Sequence, residues 1–99
     1  MEKRTVAGVM QDLAGRGFTD QFKPVAEGLL AVRSGQTFAP GEVTIREDYR
    51  FEGESDPDDM SIVYAIETRS GVRGTLTDAF GVYADPRVGA FVRTVRRAA

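Results

Sequence analysis

The sequence predicts a single α+β domain spanning 1–99, with a mainly antiparallel sheet of about four to five strands and an amphipathic helix at each end. Three observations predict it. Apolar residues recur at helical spacing near both termini, they alternate at strand spacing through the middle, and Gly- and Pro-containing breaks separate the alternating runs. The 99 residues, 41% hydrophobic and 28% charged, have the composition of a folded chain rather than a disordered one. A chain of this length makes one domain around one core.

Val6, Val9, Met10 and Leu13 fall at i, i+3, i+4 and i+7, one face of a helix. Thr5 is suited to the N-cap and Gly15 or Gly17 to the stop, which places a helix near 5–15. Gly8 weakens it by about 1 kcal/mol relative to Ala. Residues 18–33 fit no single period. Pro24 argues against a helix interior or a central strand, and Ala26-Glu27-Gly28 reads as a turn. The residues favour a short hairpin, 19–25 with 28–33, over the alternative of a helix through 21–32. Gly35, Pro40 and Gly41 make 34–42 a loop.

Alternation then becomes clear. Val43, Ile45, Tyr49 and Phe51 share one face of the next strand. Thr44, Arg46, Asp48 and Arg50 share the other, and Glu47 interrupts the inner face. Glu52 to Asp59 is acidic and reads as a loop. Residues 61–68 follow as a strand with Ile62, Tyr64 and Ile66 on one face. Val63 and Ala65 on the other face mark it as central. Arg69-Ser70-Gly71 is a hairpin connection, and 73–80 is the next strand, with Leu76, Asp78 and Phe80 on one face. Asp85-Pro86 is a helix start. Val88, Phe91, Val92 and Val95 repeat the helical spacing, and Arg93, Arg96 and Arg97 fall in the last turns, where they complement the helix dipole.

Composition excludes whole classes of chemistry. With no Cys there is no disulfide framework, thiolate nucleophile or Cys-based metal site. With no His the commonest general base and zinc ligand are missing, and no Ser-His-Asp or Cys-His arrangement can form. Acid–base chemistry would fall to carboxylates, Tyr or the two lysines, Lys3 and Lys23. A net charge of −2 with interspersed signs does not favour nucleic acid or an anionic membrane as a partner. The first residues carry no apolar run of the kind a signal peptide needs, so the expected location is the cytoplasm. No stretch approaches the length of a membrane span.

The run from Tyr49 to Asp85 reads YRFEGESDPDDMSIVYAIETRSGVRGTLTDAFGVYAD. It resembles a family of bacterial proteins of about this chain's length and of unknown function. Their shared pattern is Y-R-F-E-G-x-S-D-P-D-D, then Y-A-I, then D-A-[FY]-G-V-Y-A-D. Members are often labelled phosphoribosylpyrophosphate synthetase. The residues here do not match that enzyme class, which is far longer and built from doubled α/β domains. Its phosphoribosyl segment has two adjacent acids before a Thr/Gly-rich loop. Thr75 to Gly81 offers one acid, Asp78, and no such loop.

Four constellations invite a functional reading. In the acidic segment, Asp56, Asp58 and Asp59 stand close enough in sequence to hold Mg²⁺ or Ca²⁺. Asp56, Asp58 and Glu67 graze the calcium-loop spacing, but Met60 and Ser61 fall where a ligand and a Gly are needed. The plainer reading is a solvated turn. Asp78, on an otherwise apolar face, needs a hydrogen-bonding or charged partner such as Arg50 or Arg73, and such groups are enriched at functional sites. Arg46 and Arg50, with Arg73, could form an anion site, although cross-strand ion pairs explain them more simply. Tyr49, Tyr64, Phe80 and Tyr83 could line a pocket but read more simply as core.

Together these features predict a small non-enzymatic binding or interaction module with no cofactor. Its contact residues are expected among Arg46, Arg50, Glu52, Asp56, Asp58, Asp59, Asp78, Tyr83 and Asp85. The expected partner is a protein or a small anionic ligand. The alternative is a metal- or phosphate-handling protein that uses the Ser55–Asp59 segment. An open sheet edge would also permit a homodimer.

Overall fold

The computed structural model describes residues 6–51, 61–79 and 86–97. Helix α1 spans Val6–Gly15, followed by strands β1 (Asp20–Val25), β2 (Gly28–Ala31), β3 (Thr37–Phe38), β4 (Val43–Phe51), β5 (Ser61–Thr68) and β6 (Arg73–Ala79), then helix α2 (Pro86–Thr94) and strand β7 (Arg96–Arg97). The strands form one sheet in the order β3-β2-β1-β6-β5-β4-β7. Neighbours run antiparallel except β1 with β6 and β4 with β7. The chain is therefore α+β, with a mostly antiparallel sheet and terminal helices, as its periodicity predicts.

The helix stop at Gly17 is built by the sequence. Gly17 takes φ 98°, a conformation that favours Gly. Its N–H bonds to Ala14 O at 3.1 Å, and Phe18 N–H reaches back to Leu13 O at 2.9 Å. This is the Schellman arrangement, and the Leu13–Phe18 contact that accompanies it lies within one buried cluster. It turns Phe18 back beneath the helix and leaves Arg16 at the helix end.

Alternate residues of β5 enter two different cores. Ile62, Tyr64 and Ile66 face α2, together with Val88, Phe91 and Val95. Val63 and Ala65 face α1, with Val9, Leu13 and Phe18. The helices thus cover opposite faces, and β5 is buried on both sides, as a central strand must be. The predicted hairpin forms as β1 and β2, with Pro24 opposite Leu29. β6 pairs with β1 only at Asp20 and Gln21, so the N–H that Pro24 lacks is not needed for a ladder there.

Three expectations are corrected. The 34–42 segment is not all loop, because Thr37–Phe38 pairs with β2 and Pro40–Glu42 forms a 3₁₀ turn. Arg96 and Arg97 are not on the helix. The chain leaves α2 at Thr94 and adds β7 beside Thr44 and Ile45. The third correction governs the rest of the molecule. The β4–β5 register runs Ile45↔Ile66 and then Glu47↔Ala65, so Arg46 is an extra, bulged residue. Val43 and Ile45 face α2, whereas Tyr49 and Phe51 pack on the α1 cluster. They do not share a face, because one inserted residue shifts the phase of everything beyond it.

Candidate functional site

The bulge gathers a polar cluster on the α1 face, beside the C-terminal end of α1. Glu47, carried to this face, meets Arg16 in a two-pronged pair. Arg16 Nη1 donates to Oε1 at 3.1 Å and Nη2 donates to Oε2. The Tyr49 hydroxyl also donates to Glu47 Oε1. The hydrogen bond to Glu47, then burial, raises the Tyr49 hydroxyl pKa, and Arg16 only partly offsets them. The same Glu47 bond, then contact with Tyr49, raises the pKa of Arg16 further above its ordinary value.

A second carboxylate binds two more arginines. Arg46 Nε donates to Glu67 Oε1 at 2.8 Å, and Arg73 Nε lies 3.4 Å from Oε2. The Arg46 bond, followed by the charge of Arg73, outweighs partial burial and holds the Glu67 carboxyl below its ordinary pKa. Arg73 Nη1 donates to Arg16 O at 3.5 Å. The guanidinium carbons of Arg16 and Arg73 lie 5.9 and 5.6 Å from the Phe18 ring centre, within cation–π range. The arginine side chains remain 43–48% exposed, so solvent screens these pairs and each adds little to stability.

Two depressions meet at Arg46 and Glu67. One, about 420 Å³, opens between the 3₁₀ turn, Thr44 and Arg69. The other, about 320 Å³, is bounded by Arg16, Phe18, Glu47 and Arg73. Among the described residues, Arg46 uses only Nε, and its two terminal amino groups have no partner. The Arg69 guanidinium has none either. A guanidinium with unused, parallel N–H donors is suited to carboxylate or phosphate oxygens.

The predicted site residues are not brought together. Arg46 points into the α1-face cluster, whereas Arg50 lies opposite Ile62 on the α2 face, so the pairing of Arg46 with Arg50 fails and Arg46 joins Arg73 through Glu67 instead. Asp78 is half-buried, also opposite Ile62, on the apolar face that alternation predicts. Arg73 is on the other face from Asp78, since it stands opposite Glu67. Tyr49 and Tyr64 belong to opposite faces and line no common pocket. Glu52, Asp56, Asp58, Asp59, Phe80, Tyr83 and Asp85 lie outside the described residues.

Sequence reasoning passes over Arg16, Phe18, Arg69 and the buried Asp20. Glu47, noted only as an interruption of an apolar face, is the one local signal of the bulge. Asp20 is 6% exposed and serves structure. Its Oδ1 accepts the N–H groups of Gln21 and Arg33, both at 2.8 Å, and Oδ2 accepts Ser34 N–H at 3.3 Å and Ser34 Oγ–H at 3.1 Å. Compared with known protein families, curated proteins and solved structures, the chain matches none. No helix among the described residues is long and apolar enough to cross a membrane.

Proposed function

We propose that this chain is a small binding module without catalysis of its own, and that it takes an acidic group through the arginine cluster on the α1 face. The acidic group is a carboxylate or phosphate, on a protein partner or a small ligand. One observation carries the reading. Arg46 is fixed by a single Nε bond to Glu67, which leaves its outer donors directed at solvent where two depressions meet. Arg69 and Arg73 stand on either side. Glu67 orients Arg46 and Arg73, so an incoming oxygen meets a positioned fork rather than a flexible chain. A cytoplasmic location and the likeness of 49–85 to a small bacterial family belong to the same proposal. A metal-handling role for Asp56, Asp58 and Asp59 rests on the sequence alone.

The test is titration with inorganic phosphate and with a short oligoglutamate, followed by amide NMR. Shifts should centre on Thr44–Glu47 and Thr68–Arg73, and Arg46→Gln should abolish them. Arg93→Gln, on the exposed side of α2, should leave them unchanged. Absence of shifts with both probes, or shifts indifferent to Arg46→Gln, would refute the assignment of this surface.

A further inference from the structure

The arginine cluster has a complementary sequence in its own chain. Glu52, Glu54, Asp56 and Asp58 set carboxylates at every second position, and Asp59 adds a fifth. Alternate residues of an extended chain project to one side, about 6.6 Å apart. In the sheet, Glu67 stands opposite Thr44 on one neighbouring strand and Arg73 on the other. Arg46 and Arg73 therefore flank Glu67, on strands about 9.6 Å apart. Arg69 follows Glu67 by two residues, about 6.7 Å along the chain. Glu42 shares the rim, but its carboxylate accepts Ala39 N–H at 2.9 Å. Successive acids of an extended segment can thus each meet a different guanidinium. Granted that this surface takes acidic groups as proposed above, we infer that the 52–59 segment of one copy of this chain docks on the arginine cluster of a second copy.

Chain length rules out the same contact within one copy. Phe51 pairs with Ser61, so the segment leaves and rejoins the sheet at one place, at the far end of β5 from the cluster. Its middle residue can stand at most about 17 Å from that place. Thr68, which precedes Arg69, is seven residues along β5 from Ser61, about 24 Å. A doubled-back loop would bring only its tip near the arginines, and α1 covers the face between, over Val63 and Ala65. The segment cannot lay alternate acids along its own cluster, whereas the segment of a second copy can. The arginines are about half exposed, so the contact is screened by salt and weak, with Kd in about the micromolar range or above.

Sedimentation equilibrium of the whole chain, up to about 1 mM protein and at about 20 and about 500 mM salt, tests this. The wild type should associate at low salt and dissociate at high salt. Arg46→Gln/Arg69→Gln removes the cluster, and Glu54→Gln/Asp56→Asn/Asp58→Asn removes the alternating acids. Each variant alone should associate about tenfold more weakly than the wild type, or less. Mixed, the two should form a one-to-one complex, because one supplies an intact segment and the other an intact cluster. Circular dichroism confirms that each variant is folded. Should either unfold, titration of the wild type with a peptide of residues 51–60 decides instead. Amide shifts should centre on 44–47 and 68–73, and a peptide with the same acids neutralised should bind about tenfold more weakly. A mixture that stays monomeric, or a peptide that binds no better than its neutralised form, would overturn the inference. Where phosphate and oligoglutamate still shift the amides around Arg46 but the wild type stays monomeric at low salt, the anion site stands and the second copy is refuted as its partner. Loss of those shifts refutes both.

Discussion

Replacing Asp20 by Ala should cost about 3 kcal/mol. The carboxylate is 6% exposed and accepts four hydrogen bonds, three of them from backbone N–H groups. Bonds to a charged acceptor are worth about 1.5–3 kcal/mol each, and a buried donor left without a partner costs about 1–3 kcal/mol. The sum is discounted because Arg33 and Ser34 are exposed, so water can enter and satisfy part of the gap. For a domain of this size the melting temperature should fall by about 12–15 °C. Asp20→Asn keeps an acceptor for Gln21 and Arg33 but sets an NH₂ group against Ser34 N–H. It should cost about 1–2 kcal/mol.

The pH dependence separates this account from simple loss of packing. Burial pushes the Asp20 carboxyl up, but the hydrogen bonds from Arg33, Gln21 and Ser34 together outweigh it, and the folded pKa lies below the ordinary value. A depressed folded pKa contributes stability that is present above the unfolded pKa, near 3.9, and is lost as pH falls through the folded value. The gap between wild type and Asp20→Ala should therefore be constant from about pH 7 to 5 and narrow below about pH 4. The gap to Asp20→Asn should close further, because a protonated Asp resembles Asn. Urea denaturation at several pH values measures both. An Ala variant within about 0.5 kcal/mol of wild type at neutral pH, or a gap unchanged in acid, would refute the reasoning.

Two further substitutions test the backbone. A Cβ at Gly74 would lie 2.4 Å from Asp20 O and 2.9 Å from Phe22 Cε2. Gly74→Ala must therefore separate β6 from β1 and should cost about 2–3 kcal/mol in chemical denaturation; a neutral result would mean that this parallel pairing contributes little. Gly89 is within α2, and a Cβ there would meet nothing within 4 Å, so Gly89→Ala should stabilise the domain by about 0.5–1 kcal/mol, read as a rise in melting temperature.

Both helices and β5 were legible because their apolar residues are numerous and strictly periodic, so burial on a known face followed from spacing alone. Pro86 at the start of α2 and Gly17 after α1 added start and stop chemistry at the right places. The hairpin was legible through Pro24 and the Ala26-Glu27 turn, although its apolar residues fit no period. The bulge was not. Val43, Ile45, Tyr49 and Phe51 all sit at odd positions, so the alternation reads as unbroken, and only the interruption at Glu47 marks the change of phase. The polar cluster was hidden for a different reason. Its bonds join residues far apart in the chain: 31 residues between Arg16 and Glu47, 21 between Arg46 and Glu67, and 57 between Arg16 and Arg73. No local pattern encodes such separations, and which arginine meets which glutamate depends on the register of β4.

The bulge also predicts an unusual asymmetry between deletion and insertion. Deleting one residue from a strand ordinarily sends every later side chain to the wrong face. Here Ile45 stands opposite Ile66 and Glu47 opposite Ala65, so the ladder already skips Arg46. Deleting Arg46 would join Ile45 to Glu47 as regular neighbours and keep Tyr49 and Phe51 on the α1 core. The cost should stay within about 1–2 kcal/mol, with phosphate and oligoglutamate binding lost. Inserting an Ala between Glu47 and Asp48 does the reverse. It would turn Asp48 and Arg50 toward Val6 and Met10, and expose Tyr49 and Phe51, at a cost above about 4 kcal/mol. That is most of the stability of a domain of this size. Equilibrium unfolding of the two variants side by side decides the matter. A deletion as damaging as the insertion would mean that Arg46 is an ordinary rung of the ladder and that the α1-face cluster is not organised by a bulge.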